Sequence, residues 1–125
     1  MGQTTALTLE PRQEQTIMEI TAAEIGEEQN VVHLEANMGV YGKVYASIIF
    51  KFNADRSGGT YTAQGRGFID EHTMLGGAGV GIWKREGSKA FLEEVVNISD
   101  GTQNLHRGVM DMMKKTLVLD AYILR

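Results

Sequence analysis

Glu94 is the residue whose type and setting are best suited to acid–base chemistry. It lies in the run 89–98 in phase with Leu92 and Val96, whereas Glu93 falls on the opposite phase. Alternate apolar residues mark the buried face of a strand, so we expect Glu94 inside and Glu93 in solvent; the opposite phase would reverse this assignment. Burial raises the pKa of a carboxyl and suits it to general acid or base catalysis. The alternative is a glutamate that is exposed or ion-paired.

Arg66 is the candidate partner for that carboxylate. It lies between Gly65 and Gly67, which leave it free to reach past them. A guanidinium binds carboxylates through two parallel hydrogen bonds. We favour a structural salt bridge to Glu94, because buried charges are usually paired; the alternative is that Arg66 binds a carboxylate of a ligand.

His106 is the second candidate for proton transfer. It shares a strand phase with Met110, which points its ring inward as a proton carrier or a hydrogen-bond donor to a ligand. An ordinary hydrogen-bonded or exposed histidine is the more common situation. The other histidines, His33 and His72, lie far from it in the chain, and none of the three has the i, i+2 or i, i+4 spacing of a metal site. Since the chain also has no cysteine, we expect no metal and no cofactor.

Four aromatic residues could line a pocket. Tyr41, Tyr45, Tyr61 and Trp83 combine large apolar bodies with polar tips, a composition typical of pockets for apolar or aromatic ligands. Of these we name Tyr45, Tyr61 and Trp83, with Arg66, as the ligand-binding set. Packing in the core or at its rim is the alternative.

Two familiar catalytic patterns are missing from the sequence. No serine lies in a Gly-x-Ser-x-Gly setting, and although the fold could assemble a triad around Ser47 or Ser88, no motif points to one. The run Gly76–Gly81 fits neither phosphate-binding glycine pattern, and Ile82 and the residues after it start no helix. We therefore interpret these glycines as structural.

The elements that position these residues are predicted to be strands. Residues 43–52 alternate with period two, with Val44 on the inward face, and the polar run 53–59 indicates a hairpin. Further strands are predicted at Met74–Lys84, Lys89–Ile98, Asn104–Met112 and Leu117–Leu124. Residues 14–27 have helix-like composition, but we favour a strand there; an α+β cone with a helix-lined pocket is the rival fold.

Glycines recur in phase on two adjacent predicted strands. One face of the later strand carries Gly77, Gly79 and Gly81 together with Trp83. The preceding strand likewise has Gly65 and Gly67 on one face. Strands without side chains on one face can coil sharply and approach a neighbour closely. This pattern is typical of bent barrel strands.

Three segments carry a resemblance to a known family. They read GVYG at 39–42, GTYTAQGRG at 59–67 and GAGVGIW at 77–83. The chain from about residue 30 onward resembles the small bacterial proteins grouped as allene oxide cyclase barrel-like, nearest to the functionally uncharacterised DUF3224 group. The resemblance implies an eight-stranded antiparallel barrel with a central cavity, in a superfamily that includes cyclases. It transfers no catalytic residue, so the cyclase link is an analogy of fold alone.

Composition narrows the class of protein. A chain of 125 residues with 42% hydrophobic content predicts one all-β domain over 1–125, a small closed antiparallel barrel of about eight strands with little helix, with 1–13 as a flexible segment. A formal net charge of -4 without a basic cluster argues against nucleic-acid binding. With no signal-like N-terminus and no long apolar run, we expect a cytoplasmic protein that binds no membrane.

Three functions are consistent with these features. The first is binding of a small hydrophobic or carboxylated molecule in the barrel. The second is a cofactor-independent cyclase or isomerase that folds its substrate and moves a proton with Glu94 or His106. The third is a filled barrel that acts through its surface as a homo-oligomer, with a dimer favoured, through exposed apolar residues such as Ile49 and Val118.

Overall fold

The chain forms a closed barrel of eight antiparallel strands. The computed structural model describes residues 6–125, and each strand pairs with the next while β1 and β8 close the barrel. The strands are β1 (Thr16–Ile25), β2 (Gln29–Asn37), β3 (Lys43–Lys51), β4 (Gly58–Phe68), β5 (Met74–Glu86), β6 (Lys89–Ile98), β7 (Gln103–Asp111) and β8 (Thr116–Ile123). The predicted all-β barrel is confirmed, and the rival α+β cone is wrong.

The N-terminal quarter forms a strand despite its helix-like composition. β1 places Met18 and Ile20 inside the barrel and pairs with both β2 and β8. Tertiary burial of alternate residues outweighs the weak helix preference of the alanines and glutamates in this segment. In the described part of the chain the one helical element is a single 3-10 turn, Gly39–Tyr41, and no helix is long and apolar enough to cross a membrane.

Alternation along each strand fills one end of the lumen with aromatic rings. Phe50 lies 5.5 Å from Tyr61 and 5.5 Å from Trp83 between ring centroids, and Phe52 lies 5.8 Å from Trp83. The indole Nε1 of Trp83 donates to the carbonyl oxygen of Lys51 at 3.0 Å. Tilted and edge-on pairs of this kind stabilise by about 0.5–1.5 kcal/mol each, so the rings hold one another in place at this end.

The opposite end is closed by the segment between β2 and β3. The 3-10 turn carries Tyr41 over the barrel mouth, where its hydroxyl accepts a hydrogen bond from Nδ2 of Asn104 at 2.7 Å. Arg12 Nε in turn donates to Oδ1 of Asn104 at 2.8 Å. Gly42 has φ of 71°, and a Cβ there would overlap the carbonyl oxygen of Phe68, so the return into β3 requires glycine. We call Met38 and Tyr41 the cap.

The segment before β1 is joined to the barrel. The backbone of Arg12 donates to Ala121 at 2.8 Å, and Ile123 donates to Glu10 at 2.8 Å. We expected residues 1–13 to be flexible. Residues 10–12 are instead hydrogen-bonded to β8, and residues 1–5 lie outside the described residues.

Candidate functional site

Glu94 lies inside the barrel, on the phase that its strand pattern predicts. Its neighbours in phase on β6, Leu92 and Val96, are buried, and Glu94 itself is 8% exposed. Glu93 points to solvent. A carboxyl group is therefore held in a largely apolar lumen, where a charge is costly unless it is paired.

The partner of Glu94 is His106. The two residues are opposite each other in the β6–β7 register, and Nδ1 of His106 lies 3.4 Å from Oε1 of Glu94. His106 is 7% exposed. A short charge-assisted hydrogen bond spans about 2.7–2.9 Å, so the distance between Nδ1 and Oε1 is longer than in such a bond, and a small movement of either side chain would form one. We call Glu94 and His106 the lumen pair.

The other polar atom of each residue in the lumen pair is free. Among residues 6–125, neither Oε2 of Glu94 nor Nε2 of His106 has a hydrogen-bond partner, and both atoms are buried. A buried polar atom without a partner costs about 1–3 kcal/mol, and folded proteins rarely leave one. A partner from within the cavity would remove that cost.

The lumen pair borders a cavity of about 90 Å³ between the aromatic end and the cap. The walls are apolar, with Leu34, Ile48 and Leu119 among them, and the cap residues Met38 and Tyr41 contribute to its lining. It is a small apolar chamber with one acid–base pair.

Two glycines of β5 that face the lumen leave space for the polar side chains of Glu94 and Tyr61. A Cβ at Gly79 would overlap Oε2 of Glu94, and a Cβ at Gly81 would lie 2.7 Å from Cζ of Tyr61. At Gly77, two residues before Gly79 on the same face of β5, an added Cβ would lie 3.4 Å from Cδ1 of Ile98, which is an ordinary van der Waals contact. The predicted glycine face is confirmed, and beyond bending the strands it accommodates the side chains of a neighbouring strand.

Arg66 does not reach the lumen. Its position in β4 alternates with the inward Gly65 and Gly67, so its side chain lies on the outer surface, where Nη1 donates to the carbonyl oxygen of Gly65 at 2.7 Å. The predicted salt bridge between Arg66 and Glu94 is corrected accordingly. A side chain cannot move to the other face of its strand, so Arg66 stays outside and His106 is the residue that lies beside Glu94.

The three aromatic candidates also lie on different faces of the barrel wall. Tyr61 and Trp83 are inside but belong to the aromatic end, and Tyr45 is 49% exposed on the outer face, edge-on to Phe68. The expectation that Tyr45 lines the cavity is corrected, because it is out of phase with Val44. Burial first, then the charges of Glu94 and Glu93, raises the pKa of the Tyr61 phenol.

Sequence reasoning missed Met38 and Asn104. Asn104 is fully buried and orients the Tyr41 hydroxyl, yet its only signal in the sequence is its phase with His106. Met38 lies in a loop where no periodicity applies. Across residues 6–125, no group of three or more histidine, aspartate or glutamate residues could hold a metal ion.

The chain matches no family model, and it has no significant match among curated proteins or solved structures. The resemblance to the allene oxide cyclase barrel-like proteins therefore stays a prediction that depends on the three glycine-containing segments.

Proposed function

We propose that the barrel binds a small, largely apolar molecule in its lumen and holds one polar group of that molecule with the lumen pair. The observation that carries this proposal is the pair of buried atoms, Oε2 of Glu94 and Nε2 of His106, that lack a partner in residues 6–125 beside an apolar cavity. Pockets of this composition, apolar walls with a few convergent polar groups, are typical of ligand sites.

The chemistry of the pair favours a ligand that donates a hydrogen bond. An ionised Glu94 accepts at Oε2, and a neutral His106 that donates from Nδ1 to Glu94 accepts at Nε2. A hydroxyl, enol or N–H group satisfies either atom. A carboxylate would meet the charge of Glu94 without Arg66 to offset it, so of the two ligand classes we expected, the hydrophobic one is favoured.

The cavity size favours a small ligand. Its volume of about 90 Å³ is below the roughly 150 Å³ of an apolar cavity that takes up benzene. Larger ligands require the cap to move, and its Met38 has the flexible side chain that adapts best to irregular guests.

A matched pair of small ligands tests this proposal. 2-Propanol and 2-chloropropane, which are similar in size and differ in one hydroxyl group, are titrated while thermal unfolding and protein NMR shifts are followed. We expect the hydroxylated member to bind about fivefold more tightly, as one net hydrogen bond of about 1 kcal/mol provides. The double variant Glu94→Leu with His106→Leu should remove this preference, and Glu93→Leu, at the exposed neighbour, should retain it. Absence of binding, or a preference that survives the double variant, would count against lumenal recognition.

A cofactor-independent isomerase or cyclase is the second candidate, because a carboxylate and an imidazole lie side by side in an apolar chamber. With a proton on Nε2 of His106, Glu94 can remove a proton from carbon while His106 protonates oxygen, and the walls restrict the substrate's conformations. Exchange of the α-hydrogens of cyclopentanone in D₂O, followed by NMR, tests this. We expect exchange above the buffer rate that Glu94→Gln abolishes; an unchanged rate in the variant excludes Glu94 from the chemistry.

The outer surface supports our proposal of a homodimer. Strands β5 to β8 carry two rows of apolar residues, separated by a row in which Glu93, Arg107 and Asp120 are neighbours in register. The apolar residues are Val80, Val95, Leu105 and Tyr122 in one row and Phe91, Val109 and Val118 in the other.

This face is self-complementary about a two-fold axis that runs along the strands between β6 and β7. That axis places β6 of one copy on β7 of the second copy, so both apolar rows meet apolar rows and each Glu93 meets an Arg107. Arg107→Glu should lower the mass measured by sedimentation from dimer to monomer, and adding Glu93→Arg should restore the dimer. A monomeric wild-type protein contradicts the proposal.

A further inference from the structure

Three side chains on the outer face of the barrel are hydrogen-bonded in series. Oγ of Ser47 lies 2.7 Å from Nδ1 of His33, and Nε2 of His33 lies 2.8 Å from Oε2 of Glu24. A hydroxyl, an imidazole and a carboxylate linked in this order are the signature of an activated nucleophile. This relay lies on the other side of the sheet from the lumen pair.

The fold brings the relay together through register and one irregularity. His33 and Ser47 are direct partners in the β2–β3 register. The β1–β2 register shifts between Ile20 and Ala22, and this bulge reverses the side-chain phase for the rest of β1. Without the bulge Glu24 would share the inward phase of Ile20; with it, Glu24 points outward beside His33. Bulges are frequent next to active sites, where they redirect a side chain in this way.

The hydrogen-bond partners determine the tautomer of His33. An ionised carboxylate only accepts hydrogen bonds, so Nε2 of His33 must carry the proton that it donates to Glu24. In the neutral imidazole Nδ1 then holds a lone pair and accepts from the hydroxyl of Ser47. The imidazole is thereby oriented as a base toward Ser47, with the two ring nitrogens exchanged relative to the serine-protease arrangement.

The relay opens into a surface depression of about 620 Å³. Gln64 is opposite Ser47 in the β3–β4 register, and Thr62 and Arg66 are the diagonal neighbours of Ser47 on the same strand. Gln64, Thr62 and Arg66 all line the depression. An amide, a hydroxyl and a guanidinium beside the nucleophile can donate to an oxygen that gains negative charge. In the described part of the chain no carboxylate pairs with Arg66, so its charge is available to a substrate.

We propose that Ser47 is the nucleophile of a second site, which accepts acyl groups from small esters that carry an anionic substituent. Oγ of Ser47 forms a bond to the ester carbonyl carbon while its proton passes to Nδ1 of His33. The bond to the leaving alkoxide breaks, and His33 returns the proton to it. Water then attacks the acyl-serine by the same route and releases the acid. Arg66 binds the anionic substituent.

Labelling of the full-length protein with a fluorophosphonate tests the nucleophile. The probe forms a phosphorus–oxygen bond to an activated serine and loses fluoride, and peptide mass spectrometry locates the adduct. We expect one adduct at Ser47, absent in Ser47→Ala and formed about 100-fold more slowly in His33→Ala, the usual effect of a general base. Ser88→Ala, which changes an exposed turn serine, is the matched control and should label normally. No adduct at Ser47, or equal labelling of His33→Ala, overturns the proposal.

Ester hydrolysis tests the substrate class and excludes catalysis by the imidazole alone. We expect p-nitrophenyl hemisuccinate to be hydrolysed faster above its spontaneous rate than p-nitrophenyl acetate, and Arg66→Gln to reduce that ratio about tenfold, as loss of one charge-assisted hydrogen bond predicts. Ser47→Ala should abolish both activities. If Ser47→Ala retains the hydrolysis that His33→Ala loses, His33 acts alone and the serine nucleophile is refuted. Equal ratios in Arg66→Gln refute the anionic preference.

Discussion

Replacing the lumen pair by apolar residues of similar volume should stabilise the barrel, provided that the pair exists for function. In Glu94→Met with His106→Leu, two buried atoms without a protein partner disappear, which regains about 2–6 kcal/mol at about 1–3 kcal/mol each. The 3.4 Å contact between the two side chains is lost, at about 1.5–3 kcal/mol for a hydrogen bond to a charged group. The midpoints of these ranges leave a net gain of about 2 kcal/mol, within the roughly 1–4 kcal/mol seen when buried ion pairs are replaced.

Urea unfolding at pH 7, followed by circular dichroism, measures this difference. We expect an unchanged m-value and a higher midpoint, with a melting temperature about 8 °C higher at about 4 °C per kcal/mol for a domain of this size. The single variant Glu94→Met leaves His106 buried and unpaired, so it should be less stable than the double variant. A double variant that is less stable than the wild type would falsify the reasoning, because the pair would then be a structural element.

Three further outcomes are expected. Tyr41→Phe deprives the buried Nδ2 of Asn104 of its acceptor and should cost about 1–3 kcal/mol in urea unfolding; a loss below about 0.5 kcal/mol contradicts a tight cap. Tyr61 has a folded-state pKa raised above about 10, so the stability it contributes is present below that pH and is lost as the pH rises toward the folded-state pKa; absorbance at 295 nm should show it ionising only with alkaline unfolding. Gly79→Ala overlaps the carboxylate of the lumen pair and should cost about 1–3 kcal/mol, while Gly77→Ala, with ordinary contacts, should be near neutral; equal costs would contradict this role.

Local patterning accounts for the elements that sequence analysis predicted. The strand Lys89–Ile98 has the predicted bounds, and the phases that we favoured for Val44 and Glu94 are the inward ones. Side chains of a strand alternate with a period of two whatever the strand pairs with. The burial of one face was therefore readable before any partner was known.

The partners of those side chains depend on contacts between distant parts of the chain. Sequence analysis favoured Arg66 as the partner of Glu94, whereas the β6–β7 register and the outward phase of β4 give that position to His106. Tyr41 crosses the barrel mouth from a loop with no periodicity, and its hydrogen bond to Asn104 spans 63 positions of the chain.

The sequence by itself determined that this chain is rich in glycine and in alternating strands, because alternation and turn chemistry act over a few residues, and it placed Glu94 and Glu93 on opposite faces of one strand. Only the tertiary structure decided what each polar group faces. Barrel closure sets the register that joins Glu94 to His106, and one bulged residue in β1 reverses the phase that brings Glu24 to His33 and Ser47. Since register and bulges follow from the pairing of whole strands, no short run of residues contains them.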